Sequence, residues 1–218
     1  MLINFIEQLI NGLRTGSIYA LIAIGYTMVY GIAKMINFAH GDIIMVGAYA
    51  LYFSISVLGL PVPAALLITV IVCSVLGVLI EKIAYKPLRK APPLAVLITA
   101  IGMSFFLQSS SLLFFGSTPI PFQSVIPNVN ISIGPVVISS ITVVTLIVTA
   151  IAMILLTLFV NKTKLGSAMR AVSEDKGAAE LMGINVNSTI SMTFAIGSAL
   201  AAVAGVLYIC QYQSMKPT

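Results

Sequence analysis

Six long apolar runs, nearly free of charged side chains, decide what this chain can fold into. The runs are predicted at Ser17–Ala33, Ile43–Leu58, Ala64–Ile80, Leu94–Phe115, Val136–Val160 and Thr189–Tyr212. A helix needs about 20 apolar residues to cross the hydrocarbon core of a bilayer. Only 8% of the 218 residues are charged, against about 25% in soluble domains, so no soluble fold could cover this much apolar surface. We therefore predict an all-α, polytopic membrane helix bundle of about six transmembrane helices.

The basic residues predict how these runs cross the membrane. Two loops are rich in Lys and Arg, at positions 81–93 and 161–187, and the positive-inside rule makes both cytoplasmic. The connection 116–135 has no charged residue and is expected outside. Counting back places Lys34–Asp42 inside and the N-terminus outside, although Arg14 opposes this last step. The net charge of +5 thus reports topology rather than nucleic-acid binding, since the bases have no aromatic residues interleaved with them.

Several smaller features favour structural roles. Apolar residues at helical spacing within positions 1–13 predict an amphipathic lead-in, either interfacial or packed on the bundle. Cys73 and Cys210 both fall inside apolar runs, where a cysteine acts as a small packing residue, so no disulfide is expected. The stretch Gly197–Gly205 repeats small residues every four positions, which favours close helix packing over a subunit interface or a pathway wall.

The first candidate site is the polar segment Ile36–Asp42 between the first two runs. It holds Asn37, His40 and Asp42, together with Gly41, which permits a break in a helix. Taken alone, this pattern favours a short interfacial turn in which Asp42 caps the second run. The alternative is a broken helix that lines a polar pathway, because ionisable groups at membrane depth are expensive and usually functional. One His and one Asp make neither a metal site nor an activated nucleophile, so we predict no metal, no cofactor and no catalytic residue.

The second candidate site is the loop Asn161–Asn187. It carries four bases and three acids, seven of the seventeen charged residues of the chain. Its pattern predicts two short helices, at Gly166–Val172 and Asp175–Leu181, with Asp175 near the start of the second helix and Gly183 at its end. A short amphipathic helix parallel to the membrane can dock in a groove of a soluble protein. The alternative is a solvated loop that only sets the topology.

At these two places the sequence resembles a known family. INFAHGD (Ile36–Asp42), preceded by GSIYALIAIGYTMVYGIAKM (Gly16–Met35), is similar to the N-terminal signature of LivH-type permeases. These are membrane subunits of ATP-binding-cassette importers for branched-chain amino acids. LGSAMRAVSEDKGAAELMGINV (Leu165–Val186) resembles the cytoplasmic coupling segment of that family, and the similarity continues through GSALAAVAGVLY (Gly197–Tyr208). Because the family normally continues with further spans, the resemblance implies a member shortened at its C-terminus.

The resemblance implies one permease domain over residues 1–218 with two groups of functional residues. The pathway or helix-break motif comprises Asn37, Phe38, His40, Gly41 and Asp42. The ATPase-coupling loop comprises Gly166, Arg170, Ala171, Asp175, Ala178, Ala179, Leu181 and Gly183. The implied partners are a second permease subunit of the LivM type, two ATPase subunits, an extracytoplasmic substrate-binding protein and the lipid of a bacterial or archaeal plasma membrane.

Other functional classes fit the sequence less well. The chain has no G-x-x-x-x-G-K-[ST] phosphate loop, so it is not itself the ATPase. A passive channel or scaffold subunit is the main alternative, but a channel would be expected to carry a filter or rings of charge within its spans. A membrane-embedded enzyme would need paired acid, base or metal groups at membrane depth, and only His40 and Asp42 are available.

Overall fold

The structure is a computed structural model that describes residues 1–89, 91–127, 129–133 and 136–216. Its α-helices are α1 (Leu2–Ala33), α2 (His40–Tyr52), α3 (Val62–Ile80), α4 (Pro93–Phe115), α5 (Ser140–Lys162), α6 (Lys164–Glu174), α7 (Lys176–Leu181) and α8 (Val186–Tyr212). Its short strands are β1 (Ile120–Pro121), β2 (Asn130–Ile133), β3 (Val136–Ser139) and β4 (Ser214–Met215). In the described residues, six helical stretches are long and apolar enough to cross a membrane. The predicted bundle of six spans is therefore confirmed.

The first span and the amphipathic lead-in form one continuous helix. α1 has 32 residues, so its axis is about 48 Å long at 1.5 Å per residue. The hydrocarbon core is about 30 Å thick, so part of the helix extends beyond it. The backbone N–H of Val137 in β3 donates to Oε1 of Glu7 (3.3 Å), which ties the beginning of α1 to the hairpin of β2 and β3. The lead-in thus contacts the hairpin through Glu7, whereas its apolar side chains Phe5, Leu9 and Leu13 are exposed.

α8 is the central helix of the bundle. In its most apolar window 72% of the residues are buried, against 11% for α5, and it packs against α1, α2 and α3. A Cβ on Gly205 would lie 2.5 Å from the carbonyl oxygen of Ile44 in α2, and one on Gly197 would lie 2.7 Å from Cγ2 of Val29 in α1. The small residues of Gly197–Gly205 therefore serve close packing within the chain, as predicted.

The helix of the third span runs further than the sequence predicts. α3 continues through a π-helical turn, Glu81–Tyr85, and a 3-10 turn, Lys86–Leu88, so the predicted cytoplasmic loop 81–93 is helical in its first eight residues. The loop assignment rested on charge, but Glu81 is fully buried and forms an ion pair with Arg89. A π-turn changes the direction in which neighbouring side chains point, and such turns are frequent at functional sites. Here it lies beside both candidate sites.

The connection between α4 and α5 is also more structured than predicted. β2 and β3 form an antiparallel hairpin in which Ile131 lies opposite Ile138. Residues 136–139, predicted as the first turn of the fifth span, form β3 because this β-branched run pairs with a strand, and α5 begins at Ser140. β1 pairs with β4, with Ile120 opposite Met215, so the chain after α8 lies at the same end of the bundle as this connection.

The two ends of the bundle differ in charge. One end holds the segments 34–39, 81–89, 91–92 and 163–185, and eight of the ten Lys and Arg residues that the structure describes lie in or beside them. The other end holds the beginning of α1 and the four strands. The positive-inside rule makes the first end cytoplasmic. Arg14, which opposes this orientation, lies near the outer end of α5, where it donates to Thr142 Oγ1 (3.4 Å).

Candidate functional site

The chain breaks between α1 and α2 at the segment 34–39. α1 is followed by its C-cap residue Lys34, which adopts a left-handed conformation (φ 59°) and donates its backbone N–H to the Tyr30 carbonyl (2.9 Å). Ala39 is the N-cap residue of α2 and makes no side-chain capping bond. The interpretation in which Asp42 caps the second span is therefore wrong, because Asp42 already lies in the first turn of α2 and its side chain turns towards α4.

Asn37 anchors the break to α3. Its side chain is buried, and its Oδ1 accepts a hydrogen bond from the Tyr85 hydroxyl (3.0 Å), which also lies 3.4 Å from the Ile36 carbonyl. Tyr85 comes from the π-turn and packs its ring against Phe194 of α8, with ring centroids 5.3 Å apart. The segment is thus held by the two helices that form the core of the bundle.

Asp42 joins α2 to α4. Gln108 Nε2 donates to Asp42 Oδ1 (2.9 Å) and also lies 3.2 Å from Ser104 Oγ. The other carboxylate oxygen of Asp42, Oδ2, is buried and makes no hydrogen bond of normal geometry among the described residues, and the Ser104 hydroxyl is the polar group near the carboxylate. Asp42 therefore fixes the inner end of α2 to α4.

His40 faces α1 rather than either of the other two polar side chains. It is 3% exposed, and its ring meets the edge of Tyr26 with centroids 5.9 Å apart. Neither ring nitrogen makes a hydrogen bond of normal geometry among the described residues, and the backbone of Ile22 is the polar group nearby. A Cβ on Gly25 would lie 3.2 Å from the ring, so glycine makes room for it. Asn37, His40 and Asp42 therefore bind different helices and do not form one polar cluster.

The remaining two residues of this motif, Phe38 and Gly41, are exposed. Gly41 and Asp42 border a cavity of about 600 Å³ between α1, α2 and α8, whose walls are mainly apolar and include Tyr49 and Tyr208. The cavity follows α2 from its inner end to the outer end of α8. It is large enough for an amino acid, which gives the helix break a neighbouring space that a solute could occupy.

In the second candidate site, α6 is fixed rigidly to the end of α5. Thr163 begins α6 by accepting the Gly166 backbone N–H on its Oγ1 (3.0 Å). Gly166 is buried so tightly that an added Cβ would collide with the Val160 carbonyl. Arg170 Nη1 donates to the same carbonyl (2.6 Å) and to Asn161 Oδ1 (3.0 Å). The last turn of α5 is therefore closed by side chains of α6.

α7 has the ends that the sequence predicts. Asp175 Oδ1 accepts the backbone N–H groups of Gly177 (2.7 Å) and Ala178 (3.1 Å), so Asp175 is its N-cap. Gly183 follows the helix with φ 82°, a conformation that favours glycine. Because these signals are local, the two predicted short helices are present with boundaries close to those expected.

The α6–α7 loop has one face on the bundle and one face exposed. Met169, Val172 and Ala179 are buried in the core, and Ala171 packs against it. The exposed side includes Ala178, and it ends in Leu181 (90% exposed) and Met182 (82% exposed). Of the eight residues predicted for coupling, Ala178 and Leu181 are therefore free to meet a partner, whereas Gly166 and Ala179 face their own chain.

A buried ionic network at the inner end was not predicted. Glu81 forms an ion pair with Arg89, and its second oxygen accepts a hydrogen bond from Ser191 Oγ of α8 (2.6 Å). Arg89 also donates to Asn187. The sequence predicts a basic cytoplasmic loop at both positions. The available signal was that Glu81 is the one acid in an otherwise basic segment directly after an apolar run.

These features define a class of protein: a polytopic helical membrane protein with a rigid amphipathic loop at its basic end. Over residues 8–218 the chain matches the family described as the permease component of branched-chain amino acid transport systems, and it belongs to that family. The resemblance found in the sequence is therefore confirmed. The family consists of transport subunits, and together with the six membrane-capable helices it locates the chain in the plasma (inner) membrane.

Individual relatives agree with this assignment. The chain is 45% identical to the high-affinity branched-chain amino acid transport system permease protein BraD of Pseudomonas aeruginosa, over 98% of this chain and 74% of the relative. It is 44% identical to the corresponding permease protein LivH of Escherichia coli, over 98% of this chain and 73% of the relative. A probable LivH of Methanocaldococcus jannaschii is 31% identical over 87% of this chain. No solved structure matches the chain.

Proposed function

We propose that the chain is a permease subunit of an ATP-binding-cassette importer for branched-chain amino acids, with residues 1–218 acting as one membrane domain. It contributes to the translocation pathway and couples to a separate ATPase. The observation that carries the proposal is the exposed apolar end of the α6–α7 loop. Leu181 and Met182 are almost fully exposed at the basic end of a protein whose family transports branched-chain amino acids. An exposed apolar patch at a rigid site is typical of a docking surface.

The mechanism needs a loop that moves with the bundle. Arg170 ties α6 to the carbonyl end of α5, and Lys176 Nζ donates to the Ala33 carbonyl at the end of α1 (2.8 Å). When ATP closes the partner ATPases, a loop held at both ends passes the displacement to α1 and α5 as a rigid-body shift. The α6–α7 loop would then couple ATP binding on the partner to the conformation of the helix bundle, which is allosteric coupling between two distant sites.

The helix break supports the pathway. Asn37 and Asp42 fix the inner ends of α1 and α2 to α3 and α4, and Gly41 and Asp42 border the apolar cavity along α2. Apolar walls suit the side chains of Leu, Ile and Val. His40 packs against Tyr26 of α1 at this break, and Phe38 is exposed on the cytoplasmic side of the break. A rigid-body shift of α1 would therefore alter this cavity directly.

The proposed assembly contains a second permease subunit of the LivM type, two ATPase subunits and an extracytoplasmic binding protein that delivers the amino acid. No metal or cofactor is required of this chain. A passive channel or scaffold role is disfavoured because the chain belongs to a family of transport-system permeases.

The docking role is tested by charge substitution at the loop. The double variant Leu181→Glu with Met182→Glu, co-expressed with its ATPase, should recover far less ATPase on purification, because two charges would be buried at the interface. The matched control is Val129→Glu, which makes the same kind of change at an exposed residue (58%) of the outer connection. Equal ATPase recovery from the double variant and the control would contradict the docking role.

A further inference from the structure

A second cavity, of about 330 Å³, lies at the cytoplasmic end of the bundle between the ends of α1 and α3 and the beginnings of α4 and α7. Three basic residues line it: Lys34 after the last turn of α1, Arg89 after the 3-10 turn that follows α3, and Lys176 at the first position of α7. The pathway and the exposed docking face do not use this cavity. It joins an ATPase-coupling helix to the membrane-facing side of α1 and α4.

The positive charge of this cavity is not neutralised within the described residues. Glu81 is the acid nearest in the network, and its two oxygens already bind Arg89 and Ser191. In the described part of the chain this is the single ion pair, so Lys34 and Lys176 have no carboxylate partner there. A site that gathers three cations with one acid has a net positive charge that an anion would stabilise.

The arrangement of positive charges disfavours the charged form of Lys176. Burial lowers the pKa of its ammonium group, and the positive charges of Arg89 and Lys34 lower it further. Among the described residues its one hydrogen bond goes to the Ala33 carbonyl, at the negative end of the α1 dipole. That contact uses one of the three N–H donors of Lys176. It does not balance the positive charge of Arg89.

The walls of the cavity indicate what kind of anion fits. Tyr30, Val96 and Leu97 form an apolar side of the cavity on α1 and α4. On the same two helices Tyr30, Leu94 and Ile98 are exposed, by 49%, 66% and 61%, so both helices present apolar surface to acyl chains. A free phosphate would gain nothing from these apolar walls. A phospholipid would place its phosphate at the cations and its chains along the helices.

We propose that this cavity binds the phosphate group of an anionic phospholipid of the cytoplasmic leaflet, through Lys34, Lys176 and Arg89. Basic groups at the cytoplasmic surface attract anionic lipids, and basic pockets between transmembrane helices bind their headgroups. The bound lipid would tie the α7 end of the coupling loop to α1 and α4. The proposal depends on the cytoplasmic location of this end and not on the identity of the transported amino acid.

Native mass spectrometry of the purified protein, titrated with phosphatidylglycerol, tests the proposal. The double variant Lys34→Gln with Lys176→Gln should bind this lipid about 25-fold more weakly, at roughly fivefold for each lysine. The matched control is Lys162→Gln with Lys164→Gln, which removes two exposed charges from the same end but outside the cavity, and it should bind like the unchanged protein. Lys176→Arg should keep the binding, since it keeps the charge.

Three further measurements distinguish a lipid phosphate from free phosphate and from an acidic group of the partner. Phosphatidylcholine should be retained poorly by all variants, inorganic phosphate should not displace phosphatidylglycerol, and the lipid should remain bound when the ATPase is added. Equal phosphatidylglycerol binding by the double variant and its control would overturn the proposal. Displacement by inorganic phosphate alone would overturn the lipid as occupant, and loss of the lipid on ATPase addition would assign the cavity to an acidic group of the partner.

Discussion

Asn37 and Glu81 illustrate how single polar residues fix the inner end of this bundle. Each is at most 2% exposed, and each binds a distant part of the chain: Asn37 accepts a hydrogen bond from Tyr85 in the π-turn, and Glu81 accepts one from Ser191 of α8 besides pairing with its neighbour Arg89. A buried polar group that loses its partner keeps its desolvation cost, so removing one member costs more than the bond itself contributes. Both residues lie beside the loop through which we propose that ATPase movements enter the bundle.

Asn37→Leu should destabilise the protein by about 1–3 kcal/mol, because the Tyr85 hydroxyl loses its best acceptor in a buried site. Phe38→Leu is the control, since Phe38 is 46% exposed and makes no such bond. The measurement is the thermal unfolding midpoint of each purified variant in the same detergent. If Asn37→Leu unfolds at the midpoint of the control, Asn37 does not anchor the helix break.

Glu81→Met should destabilise the protein by about 3 kcal/mol or more, because it leaves the Arg89 guanidinium without its carboxylate. The double variant Glu81→Met with Arg89→Met should recover part of the loss, since it removes both charges together. Lys82→Met is the control, a change at an exposed neighbour. Denaturant unfolding of the unchanged protein, Glu81→Met, Arg89→Met and the double variant gives the coupling energy, and strictly additive losses would show that the pair contributes nothing of its own.

Among the elements, α8 determines how closely the helices approach. Its small residues let α1, α2 and α3 pack directly on its backbone, and the obstacle at Gly205 is a carbonyl oxygen of α2 that cannot rotate away as a side chain would. The stability of the bundle therefore depends on the absence of side-chain volume at specific positions on this helix.

Gly205→Ala should cost about 1–3 kcal/mol through overpacking. Gly12→Ala in α1 is the matched control, because no atom lies within 4 Å of an added Cβ there. That change should be neutral or stabilise by roughly 0.5–1 kcal/mol, as alanine favours a helix. Unfolding midpoints of the two variants that shift equally would contradict the packing account.

The elements also show which parts of the structure the sequence could predict. The six spans and the short helices α6 and α7 follow from hydropathy and from local end signals such as Asp175 and Gly183. The hairpin at β3 and the burial of Glu81 depend on contacts with distant segments, which hydropathy does not encode. The same holds within the first motif, where Asn37, His40 and Asp42 are close in sequence and the structure directs them to three different parts of the bundle.

At the scale of the whole molecule, orientation follows from the separation of charge between the two ends. Gln123→Cys at the outer connection should react with a membrane-impermeant thiol reagent added to intact cells, and Glu174→Cys in α6 should react only after the cells are opened. Both positions are exposed, and the native Cys73 and Cys210 are buried, so background labelling should be low. The reverse pattern of labelling would invert the topology and place the α6–α7 loop outside.

The central claim is that this permease moves branched-chain amino acids when an ATPase acts on its α6–α7 loop. The most direct test is uptake of radiolabelled leucine by cells that lack their own leucine importers. These cells would express the chain with the ATPase, second permease and binding protein of its own organism. The account predicts uptake that needs a functional ATPase, that isoleucine and valine inhibit, and that Leu181→Glu with Met182→Glu reduces to background. Leucine uptake that continues unchanged with an inactive ATPase, or with the altered loop, would contradict it.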